Sequence, residues 1–183
     1  MDRCGFAFTV AIAVALAGCG KAQEVAGQKA AEKMIESSLS KDGTQAKVNM
    51  SEGGIKVATT DASGKTTQME LGATKITEAD LGLPFYPGAK LTEGAAMRIA
   101  TGDSVSLQTA LHSDDAFDKV AAFYRDKLKG MADGKQLTDM SSSDVASLSL
   151  VDDKTKSSLQ VHVTKADKGS DIAILSIRDK VKQ

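Results

Sequence analysis

Two adjoining stretches decide the fold: Ser104-Val-Ser-Leu-Gln-Thr-Ala-Leu-His112, then Ser113-Asp-Asp-Ala-Phe-Asp-Lys-Val-Ala-Ala-Phe-Tyr-Arg-Asp-Lys-Leu-Lys-Gly130. In the first, Val105, Leu107, Thr109 and Leu111 recur with a period of two, the signature of a strand with one face buried. In the second the period lengthens to that of a helix, and Phe117, Val120, Ala121, Tyr124 and Leu128 fall on one face. Ser113 stands where an N-cap belongs, Asp114 and Asp115 sit in the first turn, and Lys127, Lys129 and Gly130 mark the end. Neither element can bury its apolar side alone, so the natural partner of the strand's dry face is the helix that follows it.

Working outward, Ala95 to Thr101 reads as a strand that pairs with Ser104 to His112 through a Gly102-Asp103 hairpin turn. Beyond the helix, a loop rich in Gly, Asp and Ser leads to three further strands, Val145 to Val151, Ser158 to Thr164 and Asp171 to Arg178. They are joined by Asp152-Asp153-Lys154-Thr155-Lys156 and by Asp167-Lys168-Gly169-Ser170. The predicted order is β-β-α-β-β-β. Hairpin-length connections make neighbours antiparallel, so the fold class is α+β: an antiparallel sheet with one helix packed on it. Ile172, Ile174, Leu175 and Ile177 load both sides of the last strand, which predicts that it is central or covered twice.

Upstream, Pro84 and Pro87 are the chain's two prolines and bracket Phe85 and Tyr86. The α+β domain is placed at 84–183, after a connector in which Thr77 and Asp80 cap a single helical turn. Residues 44–75 alternate in short segments around Ser51-Glu52-Gly53-Gly54 and Asp61-Ala62-Ser63-Gly64-Lys65, a small β-meander. Before that, residues 19–43 hold a helix over Ala22 to about Ser40, with a narrow apolar stripe of Ala26, Ala30, Ala31, Met34, Ile35 and Leu39. Gly27 interrupts it and Asp42-Gly43 ends it.

The N-terminus has a different character. Arg3 precedes an apolar, small-residue run from Gly5 to Gly18, and then comes Cys19. A run of about 14 residues covers roughly 21 Å as a helix, short of the roughly 30 Å hydrocarbon core, so it reads as a removable signal rather than a permanent span. Leu16-Ala17-Gly18-Cys19 resembles the lipobox of bacterial lipoproteins. That resemblance implies a signal peptide over residues 1–18, cleavage before Cys19, and acylation (palmitate among the chains) of that cysteine. Two or three acyl chains anchor a protein stably where one does not. The resemblance further implies a cell-envelope location, with Gly20 after the cysteine directing an enterobacterial lipoprotein to the outer membrane, facing the periplasm. A helix starting two or three residues after Cys19 makes the tether short.

Composition narrows the chemistry. Cys4 falls in the removed segment and Cys19 takes the lipid, so no thiol remains for a disulfide, a metal site or nucleophilic catalysis. With a formal net charge of −1 and no basic run, nucleic acid is not an expected partner. With no Trp and 4% aromatics, no stacking platform can be built. Ser63-Gly64-Lys65-Thr66 resembles the end of a phosphate loop, but Thr59 stands where that motif requires Gly, and a hairpin turn explains it. Ser38 and Lys41 have the spacing of a serine acylase without its other elements. His162 alternates with Leu159, Val161 and Val163, which gives it a wet strand face, and Asp114-Asp115 and Asp152-Asp153 suit capping and turns. No catalytic residue, metal or cofactor is expected.

Leu83-Pro84-Phe85-Tyr86-Pro87-Gly88-Ala89-Lys90 and Val120-Ala121-Ala122-Phe123-Tyr124-Arg125-Asp126-Lys127-Leu128 are together similar to a module of uncharacterised activity that recurs in bacterial lipoproteins. The likeness spans residues 76 to 180. It implies fold and export, with the Tyr-Pro-Gly turn at the sheet's entry and the aromatic pair on its helix. Phe85, Tyr86 and Phe123 are the candidate interaction surface, because Phe123 lies off the Phe117/Tyr124 face. The expected function is a non-enzymatic, membrane-anchored envelope lipoprotein that binds an envelope protein partner or acts as an accessory domain. Two alternatives stay open: a carrier with an apolar pocket between helix and sheet, and an enzyme whose site converges in three dimensions around His112 or His162.

Overall fold

The structure, a computed structural model, describes residues 20–180 apart from 41, 42, 52 and 73, with side chains from residue 27 onward. The expected cleavage and lipidation at Cys19 lie outside the described residues, as does Lys41. Three helices appear, α1 (Gly20–Leu39), α2 (Glu78–Leu81) and α3 (Phe117–Gly130). The strands are β1 (Gln45–Ser51), β2 (Gly54–Thr60), β3 (Thr66–Leu71), β4 (Lys90–Leu91), β5 (Met97–Ala100), β6 (Ser104–Ser113), β7 (Gln136–Ser141), β8 (Val145–Asp152), β9 (Ser157–Lys165) and β10 (Ser170–Asp179). They form one sheet in the order β1-β2-β3-β5-β6-β10-β9-β8-β7, with β4 added beside β6. Every pairing is antiparallel.

The α+β class and the antiparallel sheet are as the sequence predicts, but the count is larger. Ten strands replace the expected β-β-α-β-β-β core and its meander, and the additions are β4 and β7. Both read as loop for a physical reason. β4 is two exposed residues long, and β7 is an edge strand exposed at all but one position, so it carries no apolar alternation. The meander is not a separate layer, since β3 pairs with β5 and carries the hydrogen-bonded sheet straight across the Pro84–Pro87 segment. As predicted, the last strand is interior: β10 runs between β6 and β9.

Two helix expectations need correction. Ser113 does not cap α3; it is the last residue of β6, paired with Ser170 and buried. The position before α3 is Ala116, which makes no side-chain cap bond. The longer ladder with β10 outcompetes the cap, and Ser113 Oγ instead accepts the Asp115 amide at 3.2 Å. Gly27 does not break α1. The connector helix does form, with a reciprocal capping box in which Thr77 Oγ1 accepts the Asp80 amide and Asp80 accepts the Thr77 amide.

The core lies between α3 and one face of β6, β10, β9 and β8. Phe117, Val120, Ala121, Tyr124 and Leu128 pack on Leu107, Leu111, Leu148, Val161, Val163, Ile172 and Ile174, all buried. Followed through the register into the other half of the sheet, that same face turns polar: Leu107 is opposite Arg98, Arg98 opposite Glu70, Glu70 opposite Lys56, and Lys56 opposite Asn49. The aliphatic residues there are on the reverse side. One row runs Val48, Val57, Met69, Ile99, and the next runs Met50, Ile55, Leu71, Met97. The dry side of the sheet changes between β5 and β6, where Ile99 meets Ser106 and Met97 meets Gln108. We call β1, β2, β3 and β5 the wing.

Candidate interaction surface

The segment after α2 is fastened to α3 by an aromatic clasp. Gly88 takes φ +80°, a left-handed value that a side chain would resist, and the Ala89 amide closes the turn on the Tyr86 carbonyl at 3.0 Å. This delivers Tyr86 to the helix. Its backbone N–H donates to Tyr124 Oη at 3.0 Å, and its own hydroxyl donates to Asp115 Oδ2 at 2.6 Å. Lys119 Nζ donates to the same carboxylate oxygen at 2.9 Å. Phe123 sits edge-on to both tyrosines, at 5.2 Å and 82° from Tyr86 and at 5.1 Å and 85° from Tyr124. The Lys127 ammonium lies 5.4 Å from the Phe123 ring centre.

Electrostatics keep these groups in one protonation state around neutrality. The Tyr86 hydroxyl, and then the Lys119 ammonium, hold the Asp115 carboxyl below its ordinary range. The same hydrogen bond to Asp115 pushes the Tyr86 phenol up, and burial pushes Tyr124 up strongly. Both phenols therefore stay protonated, Tyr86 donating to Asp115 and Tyr124 accepting from the Tyr86 amide. Of the three residues singled out in the sequence, Tyr86 and Phe123 meet, but Tyr86 is only 5% exposed and serves as the fastener. Phe85 and Phe123 are half-buried against the core, and the Phe85 amide donates to Glu78 Oε1 at 2.8 Å.

The other candidate groups are dispersed. His112 Nδ1 lies 2.8 Å from Asp171 Oδ1, and its Nε2 lies 3.8 Å from Asp114. His162 Nδ1 lies 3.1 Å from Ser147 Oγ. Both imidazoles belong to the open side of the α3-covered half, and neither lines any of the concavities described below. The Ser38 hydroxyl is spent on the Ile35 carbonyl. Ser63-Gly64-Lys65-Thr66 forms the β2–β3 hairpin turn, where Asp61 Oδ1 accepts the Ser63 and Lys65 amides. Asp152 accepts the Lys154 and Thr155 amides of its own loop. Among the described residues no group of three His, Cys, Asp or Glu side chains is placed to hold a metal ion.

Two concavities flank the polar face of the wing. One, of about 490 Å³, is lined by Lys75, Asp80, Arg98, Arg178 and Asp179 around Ile76 and Leu107. Three cations and two carboxylates line it, and Arg178 donates to the Asp80 carbonyl. The other, of about 440 Å³, lies between Glu36 and strands β1, β2 and β3, lined by Lys47, Lys56 and Glu70 together with Val48, Val57 and Met69. The space between α3 and the sheet, by contrast, is filled with side chains.

The surface that sequence reasoning missed is the wing's reverse side. Met69 is 38% and Leu71 is 41% exposed, and Met50, Ile55, Val57, Met97 and Ile99 beside them are only half-buried. Seven aliphatic side chains on one face of four strands make a broad apolar area with a flexible, methionine-rich lining. The alternation in each strand was visible in the sequence, but alternation does not say which side of the sheet a strand will turn inward. Compared with known proteins, the chain matches no family model, no curated sequence and no solved structure.

Proposed function

We propose that this chain is an envelope lipoprotein, cut before Cys19 and held by lipid on that cysteine, whose α+β part works by binding a protein partner near the membrane rather than by catalysis. The observation that carries the tether is the run from Gly5 to Gly18 ending in Leu16-Ala17-Gly18-Cys19, with α1 beginning at the very next residue. A helix of 20 residues spans about 30 Å. Its part from Glu32 onward is docked on β1, so bound at Cys19 the remaining turns make a short rod rather than a long floppy leash. Gly20 after the cysteine favours the outer membrane, periplasmic side, in a Gram-negative host.

Support for the interaction half is the aliphatic face of the wing, which is on the opposite side of the sheet from α3 and the dry core. A filled interior weighs against a carrier, because a ligand between α3 and the sheet would have to displace close-packed side chains. Separation of the two histidines onto different hydroxyl and carboxylate partners weighs against a hydrolytic triad.

Mass spectrometry of the protein extracted from host membranes tests the tether: the expected chain begins at acylated Cys19, and Cys19→Ala is released from the membrane fraction. A chain retained whole, or cut elsewhere, would sink this reading. Crosslinking in intact cells tests the partner. The expected adduct is lost on Met69→Glu/Leu71→Glu while the protein stays folded and anchored; an adduct indifferent to that change removes the wing from the proposal.

A further inference from the structure

β1 is the outer strand of the wing, and in an antiparallel ladder alternate residues of an edge strand turn their N–H groups away from the partner strand. Here those groups are Ala46, Val48 and Met50, and each one is taken by a side chain of, or just after, α1. The Ala46 amide donates to Ser40 Oγ at 3.1 Å, the Val48 amide to Glu36 Oε1 at 2.8 Å, and the Met50 amide to Glu32 Oε1 at 2.6 Å. The spacing is matched on both sides. Residues 32, 36 and 40 rise about 6 Å apart along one helix face, and alternate strand residues rise nearly 7 Å, so a helix laid antiparallel beside the strand meets three successive donors. Side chains are thus standing in for the carbonyls of a neighbouring strand.

We infer that α1 is a detachable cover on a strand-pairing edge, and that the edge beneath it is complementary to β1 of a second copy of this chain. This goes beyond the tethered-lipoprotein reading and does not depend on it. An exposed edge of this length invites strand addition, which proteins suppress by covering it. The sequence of β1 favours self-pairing. In a two-fold pairing centred on Val48, Ala46 faces Met50 of the partner, Gln45 faces Ser51, and Lys47 faces Asn49, so no like charges are opposed. Shifting the centre to Lys47 would oppose two lysines. The Val48-centred register also joins the Val48–Val57–Met69–Ile99 rows of the two copies on one side of the joined sheet.

Light scattering and amide exchange on the full-length chain in detergent test this. The wild type is expected to be a monomer. Glu32→Ala/Glu36→Ala/Ser40→Ala is expected to become a dimer in which exchange at Ala46, Val48 and Met50 is at least about tenfold slower than in a monomer with a bare edge. Ile35→Pro opens the same edge by breaking α1 without touching β1, and is expected to give the same dimer. Ala46→Pro in either background removes an outward N–H while sparing the β1–β2 ladder, and returns the monomer. Glu32→Gln/Glu36→Gln keeps an acceptor oxygen at each position and stays monomeric. A triple variant and an Ile35→Pro variant that both remain monomeric overturn the inference, as does a dimer that Ala46→Pro leaves intact. Dimerisation of the Gln pair would also overturn it, since the hydrogen bonds would then not be the cover.

Discussion

In the half of the sheet built from β6, β10, β9 and β8, the aliphatic side faces α3 and is dry; in the wing the aliphatic side is the other one, and Met69 and Leu71 meet solvent. The same backbone ladder joins both halves, so hydrogen bonding does not distinguish them. What differs is the layer on top. A 14-residue helix with five buried side chains seals one half, whereas α1 lies along the edge of the other. Free energy from apolar burial scales with area removed from water, so stability is concentrated in the covered half and the wing keeps its apolar area available for contact.

The largest effect that can test this contrast is at the seam between β9, β10 and the start of α3. Gly169 has φ +79°, and a Cβ there would sit 1.9 Å from the Ser113 carbonyl oxygen. Gly169→Ala is expected to cost more than about 4 kcal/mol, or to abolish cooperative unfolding, as read by urea denaturation. Next, Ile174→Ala in the covered half is expected to cost about 2–5 kcal/mol, against less than about 1 kcal/mol for Val57→Ala in the wing. Equal losses at the two positions would erase the distinction between the halves. Tyr124→Phe is expected to cost about 1–3 kcal/mol, because it strands the buried Tyr86 amide without an acceptor. The smallest effect concerns pH. Asp115 has a lowered pKa when folded, so its contribution is present above the ordinary carboxylate range and is lost as pH falls through the folded value. Urea midpoints followed downward from neutrality should therefore decline less steeply in Asp115→Asn than in wild type.

The contrast also explains what could be read without coordinates. β6 and α3 were legible because each has a dry face against the other, and their residues announce it at a period of two and of 3.6. β8, β9 and β10 were legible for the same reason. β7 was not, since Gln136, Thr138, Asp139 and Ser141 serve an exposed edge and resemble loop. The Ser113 misreading has a local cause: a serine followed by two aspartates satisfies every rule for a helix start, and only the distant pairing with Ser170 shows that the strand continues. The aromatic cluster was legible as a cluster but not as a clasp. Tyr86 and Tyr124 are 38 residues apart, and nothing local indicates that the amide of one meets the hydroxyl of the other. The wing's aliphatic face was hidden for a third reason, because a strand's alternation is symmetric between the two sides of a sheet.

The interior position of β10 governs when the covered half can close. It is the last of the described strands, yet β6 and β9 both pair with it, and its Ile172 and Ile174 lie at the centre of the dry layer. A chain emerging N-terminus first therefore makes Leu107, Leu111, Val161 and Val163 long before the strand that unites them exists. Its largest strand-to-strand closure joins Ser104 to Asp179, a loop whose entropy must be lost before the contacts repay it. The layer beneath α3 is therefore completed only once β10 is present. For a protein proposed to cross a membrane as a thread, β10 would be the strand that closes the covered half, after the hairpins of the wing.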